Sequence, residues 1–279
     1  MFVFKKTNEL LEFRKNQQNL NIGFVPTMGA LHQGHLELVK RSIKENDFTY
    51  VSIFVNPLQF NDKKDFENYP VTIEQDIEAL VKIGANALYL PTYDEVYHSG
   101  ISYDTIDLSY HNSILEGIKR PGHFDGVVKV VSILFKIIQP HRAYFGLKDY
   151  QQVKVIQQLV KEKNYPIQIV ECYTIRENNG LAMSSRNKRL SDDGKNIAQQ
   201  IYQWLLKAKE LYKQNLAISE IENIIIKEIN NDKRFTLDYF EIRDAENLTK
   251  IENKNQKAVA LIAVYFEDVR LIDNLLLDE

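Results

Sequence analysis

Two histidines three residues apart, His32 and His35, stand in the stretch Pro26-Thr27-Met28-Gly29-Ala30-Leu31-His32-Gln33-Gly34-His35. An imidazole donates hydrogen bonds to an oxygen that gains negative charge, and the first N-H groups of a helix attract anions. Gly29 and Gly34 let a phosphate come close to the backbone. The chemistry suggested is phosphate binding with two positioned donors. A metal pair or a chance surface spacing is the alternative, and no carboxylate or cysteine adjoins as an obvious third ligand.

Such donors need a strand to deliver them and a helix to hold them. Ile22 to Val25 is a β-branched, apolar run, and Leu36, Val39 and Ile43 recur at helical spacing, so strand, turn and helix follow in order. Thr49 to Val55 reads as a second strand that releases Asn56, Pro57 and Gln59 into a loop. Thr72 is placed to cap a helix running through Asp76, Ile77 and Leu80 to Gly84, ahead of a strand at Ala87 to Leu90. A further strand is expected near Ile101 to Leu108. Arg120-Pro121-Gly122-His123 forms a rigid turn before a buried helix from Val127 to Gln139. For Arg120 and His123, contact with a ligand and bonding to backbone carbonyls stand as equal alternatives.

Ala143-Tyr144-Phe145 is a short strand that empties into Gly146-Leu147-Lys148-Asp149, and helical spacing resumes from Val153. Lys148 offers a point charge to phosphate and Asp149 an acceptor for a ribose hydroxyl, with a solvated ion pair as the simpler reading. Gln152 offers both acceptor and donors. After a strand at Pro166 to Tyr173 comes a polar loop carrying Ser184, Ser185, Arg176 and Arg186, suited to phosphate oxygens or, more plainly, to a cap and an exposed turn. A helix through Ile197 to Tyr212, a second over Ile218 to Ile229, and strands at 235–242, 259–266 and 269–272 complete the chain.

Strand and helix alternate through residue 176, which predicts an α/β fold, a Rossmann-like doubly wound parallel sheet over 1–176, with a smaller α+β C-terminal lid domain over 177–279. Thirty-five basic against 38 acidic side chains give a formal charge of −3, so bulk charge does not point to nucleic acid. The single cysteine, Cys172, fits a reducing compartment. No secretory signal or membrane-length apolar run is found, so a cytoplasmic enzyme without a membrane partner is expected.

Taken together, Pro26 to His35, Phe54 to Phe60, Arg120 to Phe124, Phe145 to Gln152, Gly180 to Asn187 and Leu271 to Asn274 resemble the pantothenate synthetase (pantoate-beta-alanine ligase) family, in this order and over the whole chain. His32-Gln33-Gly34-His35 is similar to the His-x-Gly-His signature of a nucleotidyltransferase superfamily. The resemblance implies ATP-dependent condensation of pantoate with β-alanine through pantoyl adenylate, with release of AMP and pyrophosphate. It implies an ATP site made of Met28, Gly29, Ala30, Leu31, His32, Gln33, Gly34 and His35, of Gly146, Leu147, Lys148 and Asp149, of Ile175, and of Met183, Ser184, Ser185 and Arg186. His35, His32, Lys148, Ser184, Ser185 and Arg186 would carry the catalytic field. Gln59 and Gln152 would hold pantoate, Gln59 would also lie near β-alanine, and Asp76 matches a position associated with Mg²⁺. The family is typically a homodimer. Gln33, Leu147, Asn179 and Glu267-Asp268-Val269 depart from the usual pattern, and none of these is assigned to the chemistry. The rivals are an enzyme that joins a nucleotide to a phosphorylated acceptor and a nucleotide-binding module without turnover.

Overall fold

In the computed structural model, residues 1–61, 63–252 and 256–278 are described. Contacts divide the chain into two units, Met1–Gly146 with Gln151–Tyr173, and Leu147–Tyr150 with the chain from Thr174 onward.

The first unit opens with β1 (Phe2–Phe4), α1 (Thr7–Lys15), β2 (Ile22–Thr27), α2 (Gln33–Glu45) and β3 (Phe48–Ile53). Past a 3-10 turn at Pro57–Gln59 come α3 (Lys63–Glu67), α4 (Ile73–Lys82) and β4 (Ala87–Tyr89). The short helices α5 (Tyr93–Tyr97), α6 (Ser109–Asn112) and α7 (Leu115–Lys119) lead to α8 (His123–Ile138), β5 (Arg142–Gly146), α9 (Tyr150–Glu162) and β6 (Gln168–Cys172). Among the described residues these strands form a parallel sheet in the order β1-β4-β3-β2-β5-β6. Parallel strands need covered faces, and the sequence supplies them. α8 buries nearly its whole circumference, from Phe124 and Val127 through Ile133 to Ile138, against Phe24, Tyr50 and Tyr89.

Chain order reverses beside β2, which lies between β3 and β5. The β2–β3 ladder runs to Thr27 opposite Ile53, whereas β2 and β5 pair only at Gly23 with Arg142 and Phe24 with Ala143. The two strands therefore part at their carboxyl ends, the place where an open α/β sheet leaves a crevice. Pro26, with no N-H to give to a ladder, lies beyond the last pair on the β5 side.

The expected strand at 101–108 is absent. Its backbone is satisfied by α8 instead, where Asp104 N donates to Ser132 Oγ at 2.9 Å and Lys136 Nζ donates to Ser102 O at 2.8 Å. Ile101 and Ile106 still pack on the core. α8 also begins a turn before the expected Val127, because Gly122, at φ +79°, turns the chain straight into it.

The second unit holds α10 (Asp192–Ala198), α11 (Gln200–Lys213), α12 (Ile218–Asn231) and the antiparallel sheet β7 (Thr236–Asp244), β8 (Ala258–Phe266) and β9 (Val269–Leu276). The one helix expected through Ile197 to Tyr212 is two, with a joint at Gln199, where Tyr202 N bonds Gln199 O three residues back rather than four. The β8–β9 turn is left-handed at Glu267 and Asp268, φ +46° and +58°, positions that favour glycine. Glu267 offsets that strain by accepting from both Ser191 N and Ser191 Oγ at the start of α10.

His111, on α6, is buried with no partner for its Nδ1 among the described residues, and burial lowers its pKa from the ordinary 6.5. The unfolded chain then takes up a proton that the folded one refuses, so stability falls as pH drops below about 6.5 toward the lowered folded value. Thermal unfolding followed across that window should show a shallower loss for His111→Gln than for the unsubstituted protein. Equal slopes would show that this ring does not contribute.

Candidate active site

The first unit carries Met28 to His35, Gln59, Asp76, Gly146 and Gln152 of the expected residues, and the motif follows β2 where it parts from β5. Gly29 and Ala30 both take positive φ, +81° and +51°, which swings the chain from the end of β2 into α2. At Gly29 an added Cβ would lie 2.9 Å from Ile53 Cγ2, so glycine is required there for space as well as for conformation.

What holds this turn is Asp76, on α4. Its Oδ2 accepts from Ala30 N at 2.9 Å, and its Oδ1 accepts from Leu31 N at 2.8 Å and from Thr72 Oγ1 at 3.1 Å. Thr72, expected to cap α4, spends its hydroxyl on Asp76 and makes no side-chain cap. Asp76 is 2% exposed. Three of a carboxylate's roughly four acceptor positions are taken, and the described residues include no cluster of three His, Cys, Asp or Glu that could hold a metal. Asp76 therefore has about one acceptor position left for the Mg²⁺ role the resemblance gave it. Its carboxylate serves the backbone of the motif.

The next turn fixes the histidines. His32 is the N-cap of α2, where its Nδ1 accepts from Gly34 N at 3.2 Å, and His35 Nδ1 accepts from His32 N at 3.4 Å. The rings lie 4.1 Å apart between centroids, tilted by 38°. A neutral imidazole that accepts at one nitrogen carries its proton on the other. Both rings are thus assigned the Nε2-H form, each with a donor on the side away from its backbone bond.

Gln59 ends the 3-10 turn after β3, 8% exposed. Asn56 Nδ2 donates to Gln59 Oε1 at 3.2 Å, which leaves Gln59 Nε2 directed at Met28 Sδ, 2.9 Å away. Asn56 Nδ2 also donates to Gly126 O, and Tyr97 Oη donates to Asn56 Oδ1 at 2.8 Å. His123 Nδ1-H donates to Gln59 O at 2.8 Å, and Arg120 faces Glu116 at 3.5 Å. Of the two alternatives for these residues, His123 shows the backbone-carbonyl bond, whereas Arg120 faces a carboxylate. Gln152 lies in the first turn of α9, which follows β5. A cavity of about 210 Å³ is lined by Met28, Gly29 and Ala30, by Thr72 and Asp76, and on its apolar side by Ile53, Phe54, Val71 and Leu90 among others. That apolar wall does not suit phosphate.

The second unit carries the remaining expected residues. Lys148 and Asp149 lie in a 3-10 turn, Leu147–Asp149, with Nζ and Oδ1 3.7 Å apart. Ile175 O accepts from Met183 N at 2.9 Å, and Arg176 bridges Ala182, so a small hairpin presents the 183–186 segment. Ser184 Oγ accepts from Arg186 N and begins the 3-10 turn Ser185–Arg189, the cap that the bare pattern allowed. Asn187 Nδ2 donates to Ala182 O and ties that turn to the hairpin.

A family model described as pantoate-beta-alanine ligase matches residues 2–276. The chain belongs to that family. A pantothenate synthetase of Flavobacterium psychrophilum is 43% identical over 99% of both chains, and one of Cytophaga hutchinsonii is 47% identical over 94% of both. A crystal structure of pantothenate synthetase from Thermus thermophilus superposes with a TM-score of 0.92 at 38% identity, covering 99% of each chain. A pantoate-beta-alanine ligase of Francisella tularensis, solved in complex with β,γ ATP and β-alanine, has a TM-score of 0.83 at 37% identity and covers 100% of this chain and 98% of its own.

Within this pantoate-beta-alanine ligase fold, sequence reasoning missed Tyr97 and the bonding role of Asp76. Only the packing of α4 brings Asp76 to the motif, and only that of α5 brings Tyr97 to Asn56. Asp76→Ala would orphan the N-H groups of Ala30 and Leu31, at a cost of about 1–3 kcal/mol for each left without water. Denaturant unfolding should register this loss. A variant as stable as the parent would mean that the turn keeps its shape without the carboxylate.

Proposed function

We propose that the chain condenses pantoate with β-alanine in two steps. The carboxylate of pantoate attacks the α-phosphorus of ATP, pyrophosphate leaves, and pantoyl adenylate forms. The amine of β-alanine then attacks the acyl carbon, AMP leaves with the electron pair of the broken C–O bond, and the amine gives up a proton as pantothenate is released. Both steps bring like charges together or spread new charge over phosphoryl oxygens, so the protein contributes position and an electrostatic field.

The single observation that carries this reading is the pair of backbone bonds that hold the His32 and His35 rings at the start of α2. With both Nδ1 atoms accepting backbone N-H groups, both Nε2 atoms are donors above the start of α2. Such a pair stabilises charge at the α-phosphate, and His35 acts as a hydrogen-bond donor without needing to surrender its proton. The turn Met28 to Leu31 with Gln33 and Gly34 takes the nucleotide, as do Gly146 to Asp149, Ile175 and Met183 to Arg186. Lys148, Ser184, Ser185 and Arg186 supply cations and hydroxyls for the departing pyrophosphate. Gln59, whose amide orientation Asn56 fixes, holds pantoate with Gln152 and lies near β-alanine. A neutral amide pair suits a hydroxy acid better than a second phosphate, which speaks against a phosphorylated acceptor. Mg²⁺ enters with ATP as part of that substrate. Among the described residues no helix is long and apolar enough to cross a membrane, and the reading includes a cytoplasmic homodimer, as in the family resembled.

Pantoate-dependent exchange of pyrophosphate into ATP, and AMP release that needs β-alanine as well, are the expected results. Exchange that requires a phosphorylated acceptor, or ATP binding without turnover, would overturn the reading. His35→Ala should lower kcat by about 2.7–4 kcal/mol, a factor on the order of 10²–10³, with the unfolding transition preserved. Unchanged turnover would remove His35 from the mechanism.

A further inference from the structure

The matching stretch near the carboxyl end, Leu271 to Asn274, has no part in the chemistry above, yet it carries a buried acid and a buried amide side by side. Asn274, 7% exposed on β9, turns its Nδ2 toward the 3-10 turn that bears Lys148. It donates to Leu147 O at 2.8 Å and to Lys148 O at 2.9 Å. A primary amide has two N-H donors, and here both are spent on consecutive carbonyls of one turn. The far end of the turn is pinned too, where Tyr150 Oη donates to Ala245 O at 2.6 Å.

Asp273 holds Asn274 in turn. Its carboxylate takes Arg176 Nη1 at 2.6 Å and Nη2 at 3.1 Å, a two-point pair, and accepts from Asn274 N at 2.8 Å. Arg176 Nη2 also donates to Asn274 O, and the Tyr202 ring covers the guanidinium at 3.8 Å. Burial pushes the Asp273 carboxyl up, while Arg176, the Asn274 N-H and the Lys148 charge draw it back down. A buried acid with so full a set of partners is a rigid point from which to hold something else.

We propose that Asn274 is a positioning residue for Lys148, with Asp273 and Arg176 as its support. The amide sets the two carbonyls, the carbonyls set the turn, and the turn sets where the Lys148 ammonium stands when it meets phosphate. The inference rests on the reading that Lys148 serves ATP. A misplacement of about 1 Å far from the chemistry costs up to about a hundredfold in rate.

The test is a double-mutant cycle on the full chain, read by pyrophosphate exchange well below the melting midpoint. Asn274→Asp keeps the shape of the side chain and replaces the donor with an oxygen facing the two carbonyls. It should lower kcat by about ten- to a hundredfold, and it should cost little further in the Lys148→Ala background. Ile225→Val, a core change in α12, controls for mere loss of stability and should leave kcat unchanged. If Lys148→Ala exchanges normally, the assignment of Lys148 to ATP fails. If Lys148→Ala is impaired and Asn274→Asp keeps full kcat, or if the two losses multiply independently, the positioning role fails. Should Asn274→Asp not fold, Asn274→Ala takes its place in the cycle. In the unsubstituted enzyme, slow exchange of the Asn274 side-chain amide protons is expected, and exchange as fast as an exposed asparagine's would overturn the proposal.

Discussion

The first N-H groups of a helix need partners from outside it, and at α2 imidazole nitrogens supply them. His32 Nδ1 serves Gly34 N, and His35 Nδ1 serves His32 N. The choice has a chemical consequence that a serine or aspartate cap would lack. Each ring is held in one orientation, and a neutral ring so held carries its proton on the nitrogen that does not face the backbone. The helix terminus and two donors become one rigid object. The rest of the first unit keeps that object in place: Asp76 grips the turn before it, β2 and β5 part beneath it, and α8 closes the sheet below.

The two units use the same device on different loops. In the first, a buried carboxylate, Asp76, accepts two consecutive backbone N-H groups. In the second, a buried amide, Asn274, donates to two consecutive backbone carbonyls. Both loops are held from behind by buried polar side chains. Gly126 makes a comparable contribution without a side chain. An added Cβ there would lie 2.3 Å from Leu58 O, so only glycine lets α8 approach the turn that carries Gln59.

Much of this is legible in the chain itself. The strand-helix alternation is written in short periodicities, which is why β2, β3, β4, β5 and β6 lie where apolar runs predict them and why the helix after His35 does too. The motif histidines can be singled out because their spacing is local, within one turn of helix. The stretch 101–108 misleads because its apolar residues, Ile101, Ile106 and Leu108, pack against the core, and burial looks alike in a strand and in an extended segment bonded to a helix. The long C-terminal periodicity hides the joint at Gln199, because the apolar face continues across it.

Sequence by itself determined the fold class, the family and the position of the two imidazoles, since each depends on residues close together in the chain or on patterns that repeat along it. Tertiary structure alone decided what Asp76 and Asn274 do. Their partners lie 46 and 126 residues away in the chain, and whether a carboxylate meets a metal or a backbone N-H depends on which atoms folding brings within about 3 Å.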